Sequence, residues 1–214
     1  NGDIYVGTHA GLNKYDRYKN EFINIEQASK FIYDIKEDDF GNLWLATYGS
    51  GVIRYHIPTN EWICYDSICD NSNPLKESKL TNIYIDSKKT LLFASEGQGI
   101  FFYDYKTDSF KNISETDGLP NGVIYGILDD PQGNWWMSSN KGIIRMNISD
   151  LHNIKLYTRD DGLQSNQFNY KSSYKALNGK FYFGSRSDEK FLFDFSCCEI
   201  FEVGVVFQCT GGAK

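Results

Sequence analysis

Apolar residues in this chain occur in short runs that are separated by clusters of turn-forming residues. The run GNLWLAT, from Gly41 to Thr47, is apolar at consecutive positions, as is GNWWMSS, from Gly133 to Ser139. Because neighbouring residues of a β-strand point to opposite faces, such runs predict strands that are buried on both faces. Turn formers such as Asp39 to Asn42 lie close to each run, which favours short antiparallel hairpins. No helical period is sustained anywhere in the chain.

The same pattern repeats along the chain. Within the units a second apolar run ends 10 or 11 residues after the central residue of the first run, here called the anchor. In the first three units an aromatic residue follows seven positions later. The separations between anchors are 39, 48, 44 and 46 residues, a period close to that of four-stranded β-propeller blades. The five anchors are Tyr5, Trp44, Leu92, Trp136 and Tyr182.

These observations predict an all-β fold, a β-propeller of four-stranded antiparallel blades with about five blade units. The units could form part of a seven-bladed propeller, or an open or closed arc of five. A sheet that is apolar on both faces must stack against neighbours, so we expect the anchors to lie in the core between blades. The expected units are residues 1–28, 29–70, 79–116, 119–159 and 163–195, followed by a divergent tail at 196–214.

Four strands are expected in each complete unit, and the first unit starts at its second strand. The predicted inner strands are 31–35 and 123–128, the third strands 51–55 and 142–146, and the fourth strands 61–65 and 109–113. A third strand at 191–195 is expected in the last unit.

Charge and composition narrow the range of possible functions. The formal net charge is −6 and no cluster of Lys and Arg is present, which argues against a nucleic-acid partner. No apolar run approaches the roughly 18 to 20 residues that cross a bilayer, so we expect no membrane segment in this chain. The five cysteines lack C-x-x-C spacing and the three histidines fall in different units. We therefore expect no metal, no cofactor, no catalytic residue and no enzymatic activity in this chain.

A family resemblance adds to this reading. The unit G-N-x-W-[LM]-[AS]-[TS]-x-x-G-[IV]-x-R, with the linkers DGLPN at 117–121 and DGLQSN at 161–166, resembles the two-component-regulator propeller repeat over residues 2–187. The resemblance implies the periplasmic sensor region of a Bacteroidetes hybrid two-component system, which detects an oligosaccharide. It also implies partner domains in a parent protein, namely other propeller, immunoglobulin-like and histidine kinase domains. The tail at 196–214 departs from the family, and we expect a truncated or frame-shifted end there.

Loops on one face of the predicted propeller are the candidate ligand site. In propellers, the loop after the second strand and the linker between blades share the face around the central opening. Polar side chains from both sets would converge there, and Tyr48 is expected to stack on a sugar ring. Each position could equally be a solvated turn residue, and an Asn in a linker could serve its own turn. The candidates are His9, Tyr48, Glu96, Gln98, Asn140, Lys141 and Arg186 in the loops, with Asn121 and Asn166 in the linkers.

Three functions stay open at this point. The leading hypothesis is a sensor fragment that binds an oligosaccharide, or transmits its binding, to a membrane histidine kinase. A protein-interaction scaffold, which could bind another polypeptide or form a homodimer, is the alternative. A glycan lyase or glycosidase would need two convergent carboxylates or a metal site. Glu96 and Asp188 are the only acids in the loops after the second strands, which disfavours an enzyme.

Overall fold

The described residues of the computed structural model, 2–65, 75 and 78–185, form antiparallel β-sheets. They fall into two compact units that are divided between Val123 and Ile124. Among these residues the helices are three 3-10 turns of three residues each, and no helix is long and apolar enough to cross a membrane. The turns are Glu26–Ala28, Glu115–Asp117 and Arg159–Asp161.

The first unit contains three sheets, and in each of them strands that are consecutive in sequence are neighbours. The first sheet consists of β1 (Tyr5–Thr8), β2 (Gly11–Asp16) and β3 (Glu21–Ile25). The second consists of β4 (Ile32–Glu37), β5 (Asn42–Thr47), β6 (Val52–His56) and β7 (Glu61–Tyr65). The third consists of β8 (Leu80–Ile85), β9 (Leu91–Ser95), β10 (Ile100–Asp104) and β11 (Ser109–Ile113).

The second unit repeats the same arrangement. Its four-stranded sheet consists of β12 (Ile124–Asp129), β13 (Asn134–Ser139), β14 (Ile143–Asn147) and β15 (Ile154–Tyr157). A two-stranded sheet follows, with β16 (Phe168–Lys175) and β17 (Phe181–Ser185). The predicted all-β class with antiparallel sheets is confirmed. The strand expected at 191–195 and the tail at 196–214 lie outside the described residues.

Strand ends differ from the sequence-based expectation by a residue or two in places. The predicted third strands started at Gly51 and Gly142, whereas β6 and β14 start one residue later. Both glycines have positive φ angles, 66° and 134°, which belong to the loop that precedes the strand. A glycine adopts this backbone geometry without the steric cost that a side chain would add.

A carboxylate at the turn before β5 organises the repeated G-N-x-W motif. Asp38 accepts hydrogen bonds from the backbone N–H groups of Phe40 and Asn42 at 2.9 Å each, and from Trp44 Nε1 at 2.8 Å. The turn before β13 is built the same way, since Asp130 accepts from Trp136 Nε1 at 2.7 Å. The carboxylate therefore gives the indole N–H a partner, which a buried polar group needs.

The anchor Trp44 lies at the interface between the second and third sheets. Its side chain is fully buried, and its ring centroid lies 4.7 Å from that of Tyr103 and 6.0 Å from that of Phe93. Its neighbours in the same strand, Leu43 and Leu45, belong instead to a cluster with residues of the first sheet. The second sheet is thus buried on both faces, and the expected position of this anchor between sheets is confirmed.

In the second unit the corresponding anchor, Trp136, is half-buried. Its ring stacks beside that of Tyr157 at 5.6 Å and lies 6.5 Å from that of Phe181 in the two-stranded sheet. The anchor therefore again faces the sheet that follows in sequence.

A polar cluster joins the second and third sheets at their outer strands. Tyr65 Oη donates to Asp108 Oδ1 at 2.6 Å, and Tyr103 Oη donates to the same carboxylate. Arg54 Nη1 donates to Tyr103 Oη at 2.7 Å and lies 3.3 Å from Asp108 Oδ1. Burial, reinforced by the hydrogen bond to Asp108, raises the pKa of Tyr103 to about 12. The hydroxyl groups of Tyr65 and Tyr103 therefore both have hydrogen-bond partners, which avoids the cost of a buried polar group without one.

Asp38 links the stability of the fold to pH. Burial opposes its ionisation, but the hydrogen bonds from Trp44 and Asn42 outweigh burial and hold the pKa of Asp38 below its ordinary value of 3.8. A carboxylate whose pKa is lower in the folded state stabilises the fold at pH values above the pKa that it has in the unfolded state. This stabilisation is lost as the pH falls through the pKa of the folded state. We therefore expect the free energy of unfolding to decrease below about pH 4, and Asp38→Asn to flatten this part of the profile.

Urea denaturation at a series of pH values measures this effect. Asp39→Asn is the control, because Asp39 is the adjacent carboxylate and its side chain is exposed. A pH profile that Asp38→Asn and Asp39→Asn change equally would contradict the role assigned to Asp38.

Candidate functional site

One repeated position supplies the candidate site in the first unit. His9, Tyr48 and Glu96 each lie four residues after an anchor and directly follow β1, β5 and β9. The backbone fixes them against the linkers, since Tyr48 N–H donates to Phe31 O at 3.0 Å and Glu96 N–H to Lys79 O at 2.8 Å. Each of the last two loops is therefore held to the chain that enters its own sheet.

The structure gathers these loop residues with side chains from the linkers and an inner strand. Ring contacts join His9 to Phe31, Phe31 to Tyr33 and to Tyr48, and Tyr33 to Tyr48. We call the resulting patch the rim surface. It consists of His9, Phe31, Tyr33, Tyr48, Lys79 and Glu96.

The aromatic part of the rim surface is only half covered by protein. His9 and Phe31 stack with ring centroids 3.9 Å apart, Phe31 lies 5.5 Å from Tyr48, and Tyr33 and Tyr48 are nearly parallel at 5.9 Å. Phe31, Tyr33 and Tyr48 are half-buried and His9 is exposed. Rings of this kind present an apolar face and, in tyrosine, a polar edge to solvent.

Charged groups lie at the edge of the rings. Tyr48 Oη donates to Glu96 Oε2 at 2.5 Å, and this hydrogen bond raises the pKa of Tyr48. Burial and, after it, the charge of Glu96 raise the pKa of Tyr33. Lys79 Nζ lies 5.2 Å from the centroid of the Tyr48 ring, within the range of a cation–π contact. The rim surface therefore combines aromatic faces with a carboxylate acceptor and an ammonium donor.

Sequence reasoning identified three of these residues and missed the other three. Phe31, Tyr33 and Lys79 were not among the candidates, although Phe31 and Lys79 each lie 13 residues before an anchor. That fixed offset is the signal that could have found two of them. Tyr33 lies 11 residues before Trp44, where Tyr125 precedes Trp136 by the same distance.

Two further candidate residues of the first unit, Gln98 and Asn121, are not part of the rim surface. Gln98 is exposed in the same loop as Glu96, and its backbone carbonyl accepts from Asn112 Nδ2 at 2.9 Å. Asn121 is buried, with 5% of its surface exposed, and its Oδ1 accepts from Val123 N–H at 3.2 Å. Its amide also donates to Glu115 Oε1 at 3.4 Å, so the side chain of Asn121 is used within the linker.

In the second unit, Asn140 occupies the position four residues after its anchor. Its Oδ1 is buried and has no hydrogen-bond donor among the residues that the structure describes. Lys141 beside it is exposed, and Asn166 Oδ1 accepts from Arg159 N–H at 2.8 Å. Arg186 lies outside the described residues, and ligand contact at all these positions stays a prediction.

A cavity of about 260 Å³ lies elsewhere on the second sheet. It opens near the start of β5 and the end of β6, at the ends of these strands away from Tyr48. One carboxylate, that of Glu61, lines it, whereas general acid–base cleavage of a glycoside uses two. The lining residues are Asn42, Arg54, His56, Glu61 and Ile63.

Consecutive antiparallel meanders of up to four strands, with an anchor that faces the following sheet, are typical of the β-propeller class. The family model described as two component regulator propeller matches residues 26–49 and 118–141, which hold the Trp44 and Trp136 motifs. The chain therefore carries two-component regulator propeller repeats, and the resemblance found in the sequence is confirmed.

Similar proteins agree with this assignment. Histidine kinase P4 of Formosa agariphila is 27% identical over 217 residues, which cover 79% of this chain and 16% of that protein. The extracellular domain of the hybrid two component system BT3049 from B. thetaiotaomicron superimposes with a TM-score of 0.74 at 20% identity. That match covers 90% of this chain and 27% of the other. This chain thus spans a minor part of both proteins.

A second solved structure, that of an enzyme, has a similar fold. Virginiamycin B lyase from Staphylococcus aureus superimposes with a TM-score of 0.69 at 13% identity, over 96% of this chain and 67% of the lyase. At such identities the solved structures show the fold alone.

The contact between Tyr48 and Glu96 can be tested by titration. Glu96→Gln removes the charge and keeps an acceptor, so we expect the pKa of Tyr48 to move down towards 10.0. The pKa of Tyr33 should fall as well, because the charge of Glu96 contributes to its rise. NMR of ring-labelled tyrosines across an alkaline pH series measures both. Glu37→Gln, at an exposed position of β4, is the control, and unchanged titration in Glu96→Gln would refute the contact.

Proposed function

We propose that this chain is part of the extracytoplasmic sensor region of a two-component histidine kinase. In this proposal it binds an oligosaccharide at the rim surface, or transmits such binding towards the kinase. The propeller repeats support the sensor assignment, as do the names of the relatives, a histidine kinase and an extracellular domain of a hybrid two component system. The second of these names also supports a periplasmic location.

The observation that carries the ligand class is the composition of the rim surface. A sugar ring has an apolar C–H face and a hydroxylated edge. Phe31, Tyr33 and Tyr48 provide partly exposed rings for the C–H face of the sugar. Glu96 would accept hydrogen bonds from the sugar hydroxyl groups, and Lys79 would donate hydrogen bonds to them. Binding sites of this kind are largely apolar with a few convergent polar groups.

The position of the rim surface suggests how binding would be transmitted. Tyr48 and Glu96 are held by backbone hydrogen bonds to Phe31 and Lys79, which lead into the inner strands β4 and β8. A ligand that contacts these residues would therefore contact the linkers that connect successive sheets. If it binds one arrangement of the sheets more tightly, it shifts the population towards that arrangement. The kinase of a parent protein would respond to that shift.

Isothermal titration against a panel of neutral and charged oligosaccharides tests the proposal. For any sugar that binds, we expect Tyr33→Ala and Tyr48→Ala each to weaken affinity about tenfold, which corresponds to about 1.4 kcal/mol. The reason is that each variant removes a ring from the binding surface. Tyr18→Ala is the matched control, because Tyr18 is fully exposed and lies outside the rim surface.

Three outcomes would contradict the proposal. Binding that is insensitive to both rim variants would move the ligand elsewhere on the molecule. A folded chain that binds none of the panel but binds a polypeptide would favour the scaffold function. Turnover of a glycan would assign an enzyme.

A further inference from the structure

The cavity of about 260 Å³ on the second sheet has a polar wall that is separate from the rim surface. Its lining side chains lie on one face of β5, β6 and β7, because Asn42 is paired with His56 and His56 with Glu61. Arg54 lies two residues before His56, so both side chains point to that face. This face meets the third sheet, since Arg54 Nη1 donates to Tyr103 Oη at 2.7 Å. The cavity therefore lies beside the interface between the second and third sheets.

Arg54 keeps hydrogen-bond donors available to this cavity. Its Nη1 donates to Tyr103 Oη and lies 3.3 Å from Asp108 Oδ1. Its Nε and Nη2 have no hydrogen-bond partner among the residues that the structure describes, and 18% of the side chain is exposed. A guanidinium presents its donors as a planar fork that matches the two oxygens of a carboxylate. Arg54 can therefore bind an acceptor group inside the cavity.

Asn42 offers an acceptor that its counterpart in the second unit does not offer. In that unit Asn134 Oδ1 accepts from Asn147 Nδ2 at 3.2 Å, across the paired strands β13 and β14. The second sheet has His56 in the place of Asn147, and the Nδ1 atom of His56 lies 2.6 Å from Thr59 Oγ1. Within the described part of the chain no group donates to Asn42 Oδ1. This oxygen is thus available to a donor in the cavity.

Opposite charges line the cavity without neutralising each other. Glu61 is exposed and lies diagonally across β6 and β7 from Arg54, a relation that separates Cα atoms by about 7 to 8 Å. Glu61 forms no ion pair with any described residue. In the first sheet, by contrast, Lys14 occupies the position of Arg54 and forms an ion pair with Asp3 at 2.8 Å. The second sheet therefore presents a cationic fork and a carboxylate at the same cavity.

We propose that this cavity is a second binding site, which takes a small zwitterion of the α-amino acid type. The carboxylate of the ligand lies on the fork of Arg54, and its ammonium donates to Asn42 Oδ1 and Glu61. A simple anion would be repelled by Glu61 and Asp108, and a simple cation by Arg54, whereas a zwitterion brings a partner for each charge. Ile63 lines the cavity and offers an apolar contact to a side chain.

The size of the cavity agrees with a small ligand. At about 260 Å³ it is below the roughly 300 to 1,000 Å³ of sites that hold drug-sized molecules. The inference is independent of the ligand proposed for the rim surface, because the two sites lie at opposite ends of β5 and share no residue.

NMR of the backbone amides of β6 and β7 tests the proposal. The probes are L-leucine, L-serine, L-glutamate and L-lysine, each with its N-acetyl and its carboxamide derivative. We expect at least one amino acid to shift these amides in a saturable manner, and both of its derivatives to bind at least about tenfold more weakly. Acetylation removes the ammonium charge and amidation removes the carboxylate charge, so each derivative loses one charge-assisted contact. The derivatives test the fork of Arg54 without replacing a residue that also holds Tyr103 and Asp108.

Glu61→Gln tests the other half of the site at an exposed position that the fold does not need. We expect it to weaken the amino acid at least about fivefold and to leave the N-acetyl derivative as it was or slightly tighter, because that derivative has no ammonium. Glu21→Gln is the matched control, since Glu21 is exposed and starts β3 as Glu61 starts β7. It should leave both affinities unchanged.

Three results would overturn the proposal. The first is a chain in which none of the amino acids shifts the amides of β6 and β7. The second is binding that survives acetylation or amidation, or that Glu61→Gln and Glu21→Gln change equally, because the charges of the ligand would then not matter. The third is a stronger response of the same amides to D-glucose, which would assign the cavity to a neutral polyhydroxyl ligand.

Discussion

Packing of sheets that are apolar on both sides is the interaction on which the rest of this structure depends. In the second sheet, Leu43 and Leu45 face one neighbour and Trp44 faces the other, so neither side of the sheet can be left in water without cost. The hydrogen bond from Trp44 Nε1 to Asp38 lets a large polar-edged ring lie in this apolar layer. The turn, the anchor and the facing sheet therefore form one unit.

The same packing explains how a surface of varied chemistry arises from a repeated scaffold. Stacking brings equivalent positions of successive repeats close together. The position four residues after the anchor is His9 in the first repeat, Tyr48 in the second and Glu96 in the third, whereas the anchor positions all carry large, mainly apolar side chains. Because the loops are tied to the linkers by backbone hydrogen bonds, their side chains can differ without changing the frame. A binding surface can thus be changed residue by residue on a constant core.

The difference between the constant core and the variable loops also explains which features could be predicted from the sequence. Period, anchors and strand order depend on local apolar runs and turns, and the structure agrees to within a residue or two; Gly51 belongs to a loop because its φ is positive. Side-chain contacts within a unit or a linker were harder to foresee. Tyr33 joins the rim surface only because it meets Tyr48 across two paired strands. Asn121 donates a hydrogen bond to Glu115, which lies six residues earlier in the same linker. Such contacts depend on three-dimensional register rather than on spacing.

A double-mutant cycle on Trp44 and Phe93 tests the packing of sheets most directly. The two rings belong to different sheets and their centroids lie 6.0 Å apart. Urea denaturation of Trp44→Leu, Phe93→Leu and the double variant gives the coupling free energy. Facing sheets predict a coupling of about 0.5 to 1.5 kcal/mol. Losses that add to within about 0.3 kcal/mol would mean that the two residues do not meet, and would contradict the account.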